Sequence, residues 1–253
     1  MKCNVFLTMQ SGQPPEFTWN YDSNCQKFWR MVEGQKVEVW QEGDSYAVTP
    51  GFEKLAQEMF RMHEDMDEIE REIHTNDEVM RSAVELNQGL RITKNDVWET
   101  VVCFVCSINS NLPAIRRNVQ SLMNNGHVLS PLQILETDLE TTKLGFRKRY
   151  IRAAANAALD GKFEGIGAMK YEDAKKELMK IDGIGPKVAD CVLLFGYGFT
   201  EAFPTDVWIL RAMKKFYNVN NEKEIGEFAR KRWGKRAGHA QQYLYCLART
   251  QLK

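Results

Sequence analysis

The sequence predicts a mainly α protein with two helical lobes and a cleft between them, preceded by a small β-rich element. Three observations predict it. Short β-rich stretches and turn signals fill residues 1–51. From residue 52 onward, apolar residues recur at spacings of three and four. Residues 171–198 have the pattern of two helices joined by a glycine-rich turn.

The N-terminal element is expected to be a small sheet. Its β-rich stretches are KVEVW and SYAVT, and its turn signals are SGQPPE and EGDS. Pro50 and Gly51 end it. The helical remainder is expected to form one lobe from residues 52–95 with 207–253 and a second from residues 96–206.

Composition excludes several protein classes. Apolar residues make up 43% of the 253 residues, and no apolar run approaches the roughly 18 residues of a membrane span. The first nine residues lack the features of a signal peptide. Six scattered cysteines suit a reducing compartment. We therefore expect an intracellular protein, in the cytoplasm or nucleoid, or in the nucleus of a eukaryote.

The single CxxC pair, Cys103 and Cys106, lies in the apolar run VVCFVCSI, which favours buried core cysteines over a zinc site.

Charge is unevenly distributed although the formal net charge is zero. Residues 53–85 are predominantly acidic, whereas residues 143–152 and 229–239 carry five Lys or Arg each and no acid. This pattern predicts one acidic face and one or two basic faces suited to a polyanion, although solvated helix faces fit each run separately.

The stretch from residue 171 to residue 198 predicts a helix-hairpin-helix. A helix over 174–181 leads into Asp-Gly-Ile-Gly, and Pro186 begins a second helix. Gly183 and Gly185 permit a tight turn with exposed backbone, and the N–H groups at the helix start can hold a phosphate. Such a hairpin binds DNA backbone without reading bases.

Two residues near the hairpin suggest chemistry. Lys187 lies in the first turn of the second helix, where the helix dipole and partial burial disfavour its charged form. Asp206 follows Pro204 at the start of another helix, where a carboxylate is stable as the anion. Together they suit attack on a sugar C1′ atom, whose transition state is cationic. Separately, each residue has an ordinary reading as an exposed lysine and a helix cap.

IDGIGPKVADCVLLFG followed by FPTDVW resembles the signature of the helix-hairpin-helix DNA glycosylase superfamily, and KVADC resembles its 8-oxoguanine DNA glycosylase branch. The resemblance implies that Lys187 attacks C1′, expels the base and forms a Schiff base, after which β-elimination breaks the strand. It implies that Asp206 stabilises the sugar cation. The first 50 residues are shorter than the family's usual N-terminal domain, which indicates a compact variant.

The same resemblance implies contacts with DNA. FVCSINSNLPAIRRNV is similar to the segment that contacts the cytosine opposite the lesion, which assigns this role to Asn109 and Asn111. LGFRKRY is similar to the segment that fills the emptied base stack, which assigns Phe146 as the wedge and Arg147 as a second reader of cytosine. Trp208 stands where a phosphate-contacting histidine is common.

Four residues match the family's base pocket. The carbonyl of Gly12 would accept the N7 hydrogen that 8-oxoguanine has and guanine lacks. Cys191 would lie against one face of the base, and Tyr245 against the other. Gln241 would hydrogen-bond the Watson-Crick edge. Departures from the family pattern are Ser110 for asparagine, Ala114 for arginine, Trp208 for histidine and Tyr245 for phenylalanine.

No redox or organic cofactor is implied, and the four-cysteine iron-sulfur pattern of endonuclease III relatives is absent from the sequence. By resemblance, the carbonyls of Met179, Ile181 and Ile184 hold a monovalent or calcium ion.

The expected partner is double-stranded DNA with 8-oxoguanine opposite cytosine. The protein is expected to bind it as a monomer and to have no membrane partner. Two alternatives stay open: a glycosylase of the same superfamily for another damaged purine, and a helix-hairpin-helix DNA-binding protein without catalysis.

Overall fold

The computed structural model describes residues 2–252, apart from the side chain of Glu222. The helices are α1 (Val5–Met9), α2 (Pro14–Thr18), α3 (Glu53–Met59), α4 (Met66–His74), α5 (Glu78–Leu86), α6 (Val97–Cys106), α7 (Leu112–Gln120), α8 (Pro131–Glu136), α9 (Arg147–Leu159), α10 (Tyr171–Leu178), α11 (Pro186–Val192), α12 (Val207–Tyr217), α13 (Glu222–Trp233) and α14 (Ala237–Gln251). The strands are β1 (Asn20–Asp22), β2 (Lys27–Val32), β3 (Gln35–Glu42), β4 (Ser45–Val48), β5 (Met123–Asn124) and β6 (His127–Val128). The predicted mainly α class with a small N-terminal sheet is confirmed.

The N-terminal sheet is an antiparallel meander in the order β1-β2-β3-β4. Its register pairs Phe28 with Val39 and Val39 with Val48, so apolar side chains line one face. That face packs against α1 and α3 in a core that we call the sheet core. The stretches KVEVW and SYAVT lie in β3 and β4 as predicted. The sequence did not predict β1, β2 or the short helices α1 and α2.

The periodic run after residue 52 forms two helices rather than one, because the chain breaks between α3 and α4. Buried Arg91 lies behind this break and donates to the carbonyls of Phe60 at 2.7 Å, Arg61 at 2.8 Å and Glu64 at 3.1 Å. These carbonyls turn toward one guanidinium, and Arg61 takes a φ of 50°. As a result α3 joins the sheet core, while α4 packs elsewhere.

Two helical cores enclose the cleft. The hairpin core is built from α6–α11 and Phe17 of α2. The C-terminal core is built from α4 and α5 with α12–α14. A bridging ion pair joins the sheet to the hairpin core, since Arg30 of β2 donates to both carboxylate oxygens of buried Glu99 in α6. In the described part of the chain, no helix is long and apolar enough to cross a bilayer.

The charged segments pair with one another more than the sequence predicted. Arg232 binds Asp77 at 2.7 Å and Arg236 binds Glu72 at 2.6 Å, so the basic run over 229–239 packs against the acidic segment. Buried His239, in the same run, contacts Glu64 at 3.1 Å. The expected basic face at 229–239 is therefore partly neutralised, because α13 and α14 share a core with α4 and α5.

The helix-hairpin-helix comprises α10, a turn through Gly183, and α11, which continues as a π-helical segment to Tyr197. Buried Asp190 of α11 fastens the two helices together: its carboxylate accepts from Tyr171 Oη at 2.6 Å and Lys175 Nζ at 2.7 Å. Gly183 has a φ of +90°, and a Cβ there would lie 2.5 Å from Tyr150 Cβ of α9. The turn is thus pressed against α9 at a position that only glycine fits.

Because of this contact, Gly183→Ala is expected to lower the free energy of unfolding by about 2 kcal/mol or more, through backbone strain and the clash with Tyr150. The matched control is Gly185→Ala, whose φ is −84° and whose Cβ would meet nothing within 4 Å. Its change is expected to stay within about 0.5 kcal/mol. Urea denaturation of DNA-free protein measures both; equal losses would contradict the assignment.

Candidate active site

A cavity of about 1290 Å³ lies between the two helical cores. Its wall combines five segments of the chain: the turn before α2, the loop between α6 and α7, the hairpin, the start of α12, and one face of α14. The predicted site residues that line it are Gly12, Asn109, Asn111, Met179, Ile181, Gly183, Ile184, Gly185, Lys187, Cys191, Asp206, Trp208, Gln241 and Tyr245. The fold therefore gathers side chains that are up to 233 residues apart in sequence.

Lys187 lies in the first turn of α11 with its side chain half-buried in the cavity wall. Its Nζ donates to Ser107 Oγ at 2.7 Å and lies 5.1 Å from the centre of the Phe104 ring. Ser107 Oγ itself donates to the Phe104 carbonyl at 2.7 Å, so its lone pairs face the lysine. The amine is therefore held at a defined place in the cavity.

Asp206 is the N-cap of α12, as predicted. Its Oδ1 accepts from the backbone N–H groups of Trp208 at 3.0 Å and Ile209 at 2.9 Å. Burial raises the pKa of Asp206, and the Ile209 hydrogen bond and the charge of Lys187 oppose that rise. The carboxylate thus faces the cavity under the electrostatic influence of the Lys187 amine. Both helix starts, of α11 and of α12, present their N-terminal ends to the same space.

Another part of the cavity wall brings Gly12 close to Tyr245. Gly12 has a φ of +77°, and a Cβ there would lie 2.6 Å from Tyr245 Oη, so only glycine lets the two approach. Cys191 is buried in the wall, one helical turn after Lys187. Burial raises the pKa of its thiol to about 12, which keeps it neutral and apolar in character.

Gln241 is 4% exposed and leaves one polar atom without a partner. Its Nε2 donates to the Pro204 carbonyl at 3.1 Å, while its Oε1 is buried and accepts no hydrogen bond from the described residues. A buried acceptor without a partner costs roughly 1–3 kcal/mol. Because Gln241 lines the cavity, a ligand with an N–H donor there would satisfy it.

Asn109 and Asn111 lie in the loop between α6 and α7 at the cavity rim. Asn109 is exposed and takes a φ of 46°, which turns the loop sharply. Asn111 caps α7, since its Oδ1 accepts from Ala114 N at 3.0 Å. Its amide nitrogen donates to no described residue, so an asparagine can serve both as a cap and as a donor to DNA.

Phe146 and Arg147 do not line the cavity. Phe146 is 51% exposed at the start of α9, beside Tyr150. Arg147 is buried and donates to the carbonyls of Ile108 and Asn109, the latter at 2.7 Å. In this structure Arg147 thus secures the loop that carries Asn109, and a contact between Arg147 and cytosine stays a prediction.

The hairpin offers oxygen ligands for an ion. The carbonyls of Met179 and Ile184 accept no hydrogen bond from the described residues, and that of Ile181 accepts one from Ile184 N at 3.0 Å. Three carbonyl oxygens suit calcium or a monovalent cation. Among the described residues, no group of three His, Cys, Asp or Glu side chains forms a metal site, and Cys103 and Cys106 are both buried in α6.

Known proteins share this architecture. The family described as 8-oxoguanine DNA glycosylase, N-terminal domain, matches residues 2–101. The solved structure of MBOgg1 in complex with a low-affinity DNA ligand is 31% identical, with a TM-score of 0.89 over 99% of this chain and 93% of that one.

The Clostridium acetobutylicum 8-oxoguanine glycosylase/lyase, solved with DNA containing cytosine opposite 8-oxoG, is 27% identical, with a TM-score of 0.83 over 94% of this chain and 89% of that one. The probable N-glycosylase/DNA lyase of Methanothermobacter thermautotrophicus is 28% identical over 96% of this chain and 92% of its own length. The chain belongs to the 8-oxoguanine DNA glycosylase family.

Within this 8-oxoguanine DNA glycosylase fold, several residues at the cavity were missed by sequence reasoning. Ser107 holds Lys187, and its place at the end of the helix in FVCSINSN was the only local signal. Gln242, in the cavity wall, and Glu16, behind it, contact the turn that carries Gly12; the Gln242 bond joins distant parts of the chain. Trp208, which was predicted to contact DNA, lines the cavity, and the guanidinium of Arg211 lies over its ring, 5.1 Å from the ring centre.

Burial of Asp206 has a consequence for stability. Because its pKa is raised in the folded protein, the ionised carboxylate destabilises the fold above that pKa, and this cost disappears as the pH falls through it. Asparagine also caps helices well, so Asp206→Asn is expected to raise the Tm at pH 7, with a difference that shrinks in acid.

The matched control is Asp77→Asn, another N-cap, whose carboxylate is ion-paired with Arg232. Its Tm is expected to fall. Calorimetry of the DNA-free proteins between pH 4 and pH 8 measures both variants. A lower Tm for Asp206→Asn at neutral pH would show that the Asp206 anion stabilises the fold.

Proposed function

We propose that this protein excises 8-oxoguanine from duplex DNA, opposite cytosine, through a Schiff base at Lys187 and then cleaves the strand by β-elimination. The observation that carries the proposal is the convergence of the Lys187 amine and the Asp206 carboxylate in one cavity. The names of the family relatives, glycosylase and lyase, support the same pair of reactions.

The reaction uses groups that the cavity supplies. After losing its proton, the Lys187 amine attacks C1′ of the flipped nucleotide, and the bond from C1′ to N9 breaks with its electrons leaving on the base, which takes up a proton from the lysine nitrogen. The buried Asp206 anion stabilises the positive charge that develops on the sugar. The C1′–O4′ bond then breaks, O4′ takes up a proton from water, and the opened sugar is left as a protonated Schiff base.

Strand cleavage follows from that intermediate. Loss of a proton from C2′ expels the 3′ phosphate, and water then hydrolyses the imine and restores the lysine. A water nucleophile alone would remove the base but would leave the strand intact. The placement of a lysine, rather than an open space, beside Asp206 therefore supports lyase activity.

The part of the cavity that Gly12, Gln241 and Tyr245 line supports a guanine-derived substrate. The unpartnered Oε1 of Gln241 suits the N1–H and amino donors on the Watson-Crick edge of guanine. Gly12 lines the same space, and no described residue donates to its carbonyl, which is free to accept the N7–H of the oxidised base. Tyr245 and Cys191 supply flat and apolar contacts for the two base faces.

The hairpin supports binding to the DNA backbone. Gly183 and Gly185 expose peptide N–H groups beside the start of α11, where phosphate is favoured. We extend the proposal to an ion at the carbonyls of Met179, Ile181 and Ile184, which would bridge to phosphate. Phe146, exposed at the start of α9, would fill the gap left by the flipped base. A helix-hairpin-helix protein that only binds DNA would not require the cavity.

Borohydride trapping tests the proposal, because it reduces the Schiff base to a stable covalent complex. Wild-type protein on duplex with 8-oxoguanine opposite cytosine is expected to give a shifted band on a denaturing gel. Lys187→Gln is expected to give no band, since the amide cannot form an imine.

Lys180→Gln is the matched control, because this lysine also lines the cavity but its amine is ion-paired with Glu177 at 2.6 Å. It is expected to trap at saturating protein. An undiminished band from Lys187→Gln would remove Lys187 from the reaction.

A further inference from the structure

The turn that carries Gly12 is held by side chains on both sides. The Ser11–Gly12 peptide unit has one carbonyl and one N–H, and each has a buried partner. Gln242 Nε2 of α14 donates to the Ser11 carbonyl at 2.7 Å, and the Gly12 N–H donates to Glu16 Oε2 at 2.6 Å. A peptide plane fixed at both ends cannot rotate without breaking one of these bonds.

Glu16 is placed to act on this turn alone. It lies in the first turn of α2, behind Gly12, is 8% exposed and does not line the cavity. A glutamate at the third helical position commonly reaches back to the N-cap N–H. Here it reaches one residue further, to Gly12, and the charges of Arg249 and Arg116 face its carboxylate.

Other bonds fix the rest of the turn. Gln13 donates to Ser11 Oγ at 2.9 Å, and its Oε1 accepts from Thr93 N at 2.7 Å. The Gly12 carbonyl, by contrast, accepts from no described residue. The side chains of the turn and the Ser11–Gly12 peptide are therefore bonded to the protein, while the Gly12 carbonyl is left to accept from a ligand.

We propose that Glu16 and Gln242 are positioning residues that set lesion specificity: by clamping the Ser11–Gly12 peptide they fix the Cα of Gly12, from which the carbonyl of the next peptide unit projects toward the base. This inference rests on the proposed function. Discrimination between 8-oxoguanine and guanine depends on one hydrogen bond, and a small rotation of the acceptor weakens it. The clamp supplies the rigidity that this bond requires, while the chemistry at Lys187 does not depend on it.

Two substrates distinguish base recognition, which depends on the clamp, from the chemistry at Lys187. Both are used in single-turnover assays at subsaturating protein. One duplex carries 8-oxoguanine opposite cytosine, and the other carries a preformed abasic site opposite cytosine. Glu16→Ala is expected to slow cleavage at 8-oxoguanine by about tenfold or more, because the Cα of Gly12, and with it the carbonyl that follows, is no longer fixed. Cleavage of the abasic site is expected to change less than about twofold, since no base is read there.

Three further variants are assayed on the same two substrates. Glu16→Gln is expected to recover most of the loss, because its amide oxygen can accept the same N–H. Gln242→Ala releases the other end of the clamp and is expected to reproduce the selective loss. Glu99→Ala is the matched control, a glutamate buried to a similar degree but bound to Arg30 away from the cavity, and its effect is expected to be equal on both substrates.

Equal proportional losses on the two substrates for Glu16→Ala and Gln242→Ala, or no loss in either variant, would overturn the role of the clamp. Wild-type protein that fails to cleave at 8-oxoguanine would instead overturn the proposed function. The two failures are therefore distinguishable.

Discussion

The proposed chemistry depends on a buried carboxylate whose charged form burial disfavours. Asp206 accepts two backbone hydrogen bonds at the start of α12 and faces the charge of Lys187, and yet burial keeps its pKa raised. Such an anion is poorly solvated, so it interacts strongly with a positive charge that appears nearby. The packing of the hairpin core and the C-terminal core, on either side of the cleft, offsets this loss of stability.

Those cores fix the position of the Lys187 amine relative to the Asp206 carboxylate. Lys187 is fixed by the hairpin, whose two helices are fastened through Asp190 and whose turn presses on α9 through Gly183. Asp206 belongs to the C-terminal core, which also carries Gln241 on α14. Lys187, Asp206 and Gln241 therefore lie in a helix or at its start, whereas Gly12 and Asn109 lie in loops.

Local sequence patterns predicted the parts of the site that depend on local physics. The glycines of the hairpin, the proline that begins α11 and the cap at Asp206 are specified within a few residues, and the structure has each of them as predicted. Similarity to a known family supplied the remaining residues of the base pocket. Their convergence in one cavity agrees with that interpretation.

Interactions between distant segments were not predictable in this way. The break between α3 and α4 depends on Arg91, about thirty residues downstream, and the pairing of the basic run with the acidic segment depends on a shared core. Ser107 reaches Lys187 across 80 residues. These contacts depend on which helix faces pack together, and periodicity alone does not determine that.

The central claim is that the amine of Lys187 is the atom that bonds to the sugar. Mass spectrometry of protease-digested, borohydride-reduced complex with 8-oxoguanine DNA measures this directly. We expect the reduced sugar remnant on the peptide that contains Lys187, with fragment ions placing it on that side chain. A remnant on another lysine, such as Lys180, would contradict it.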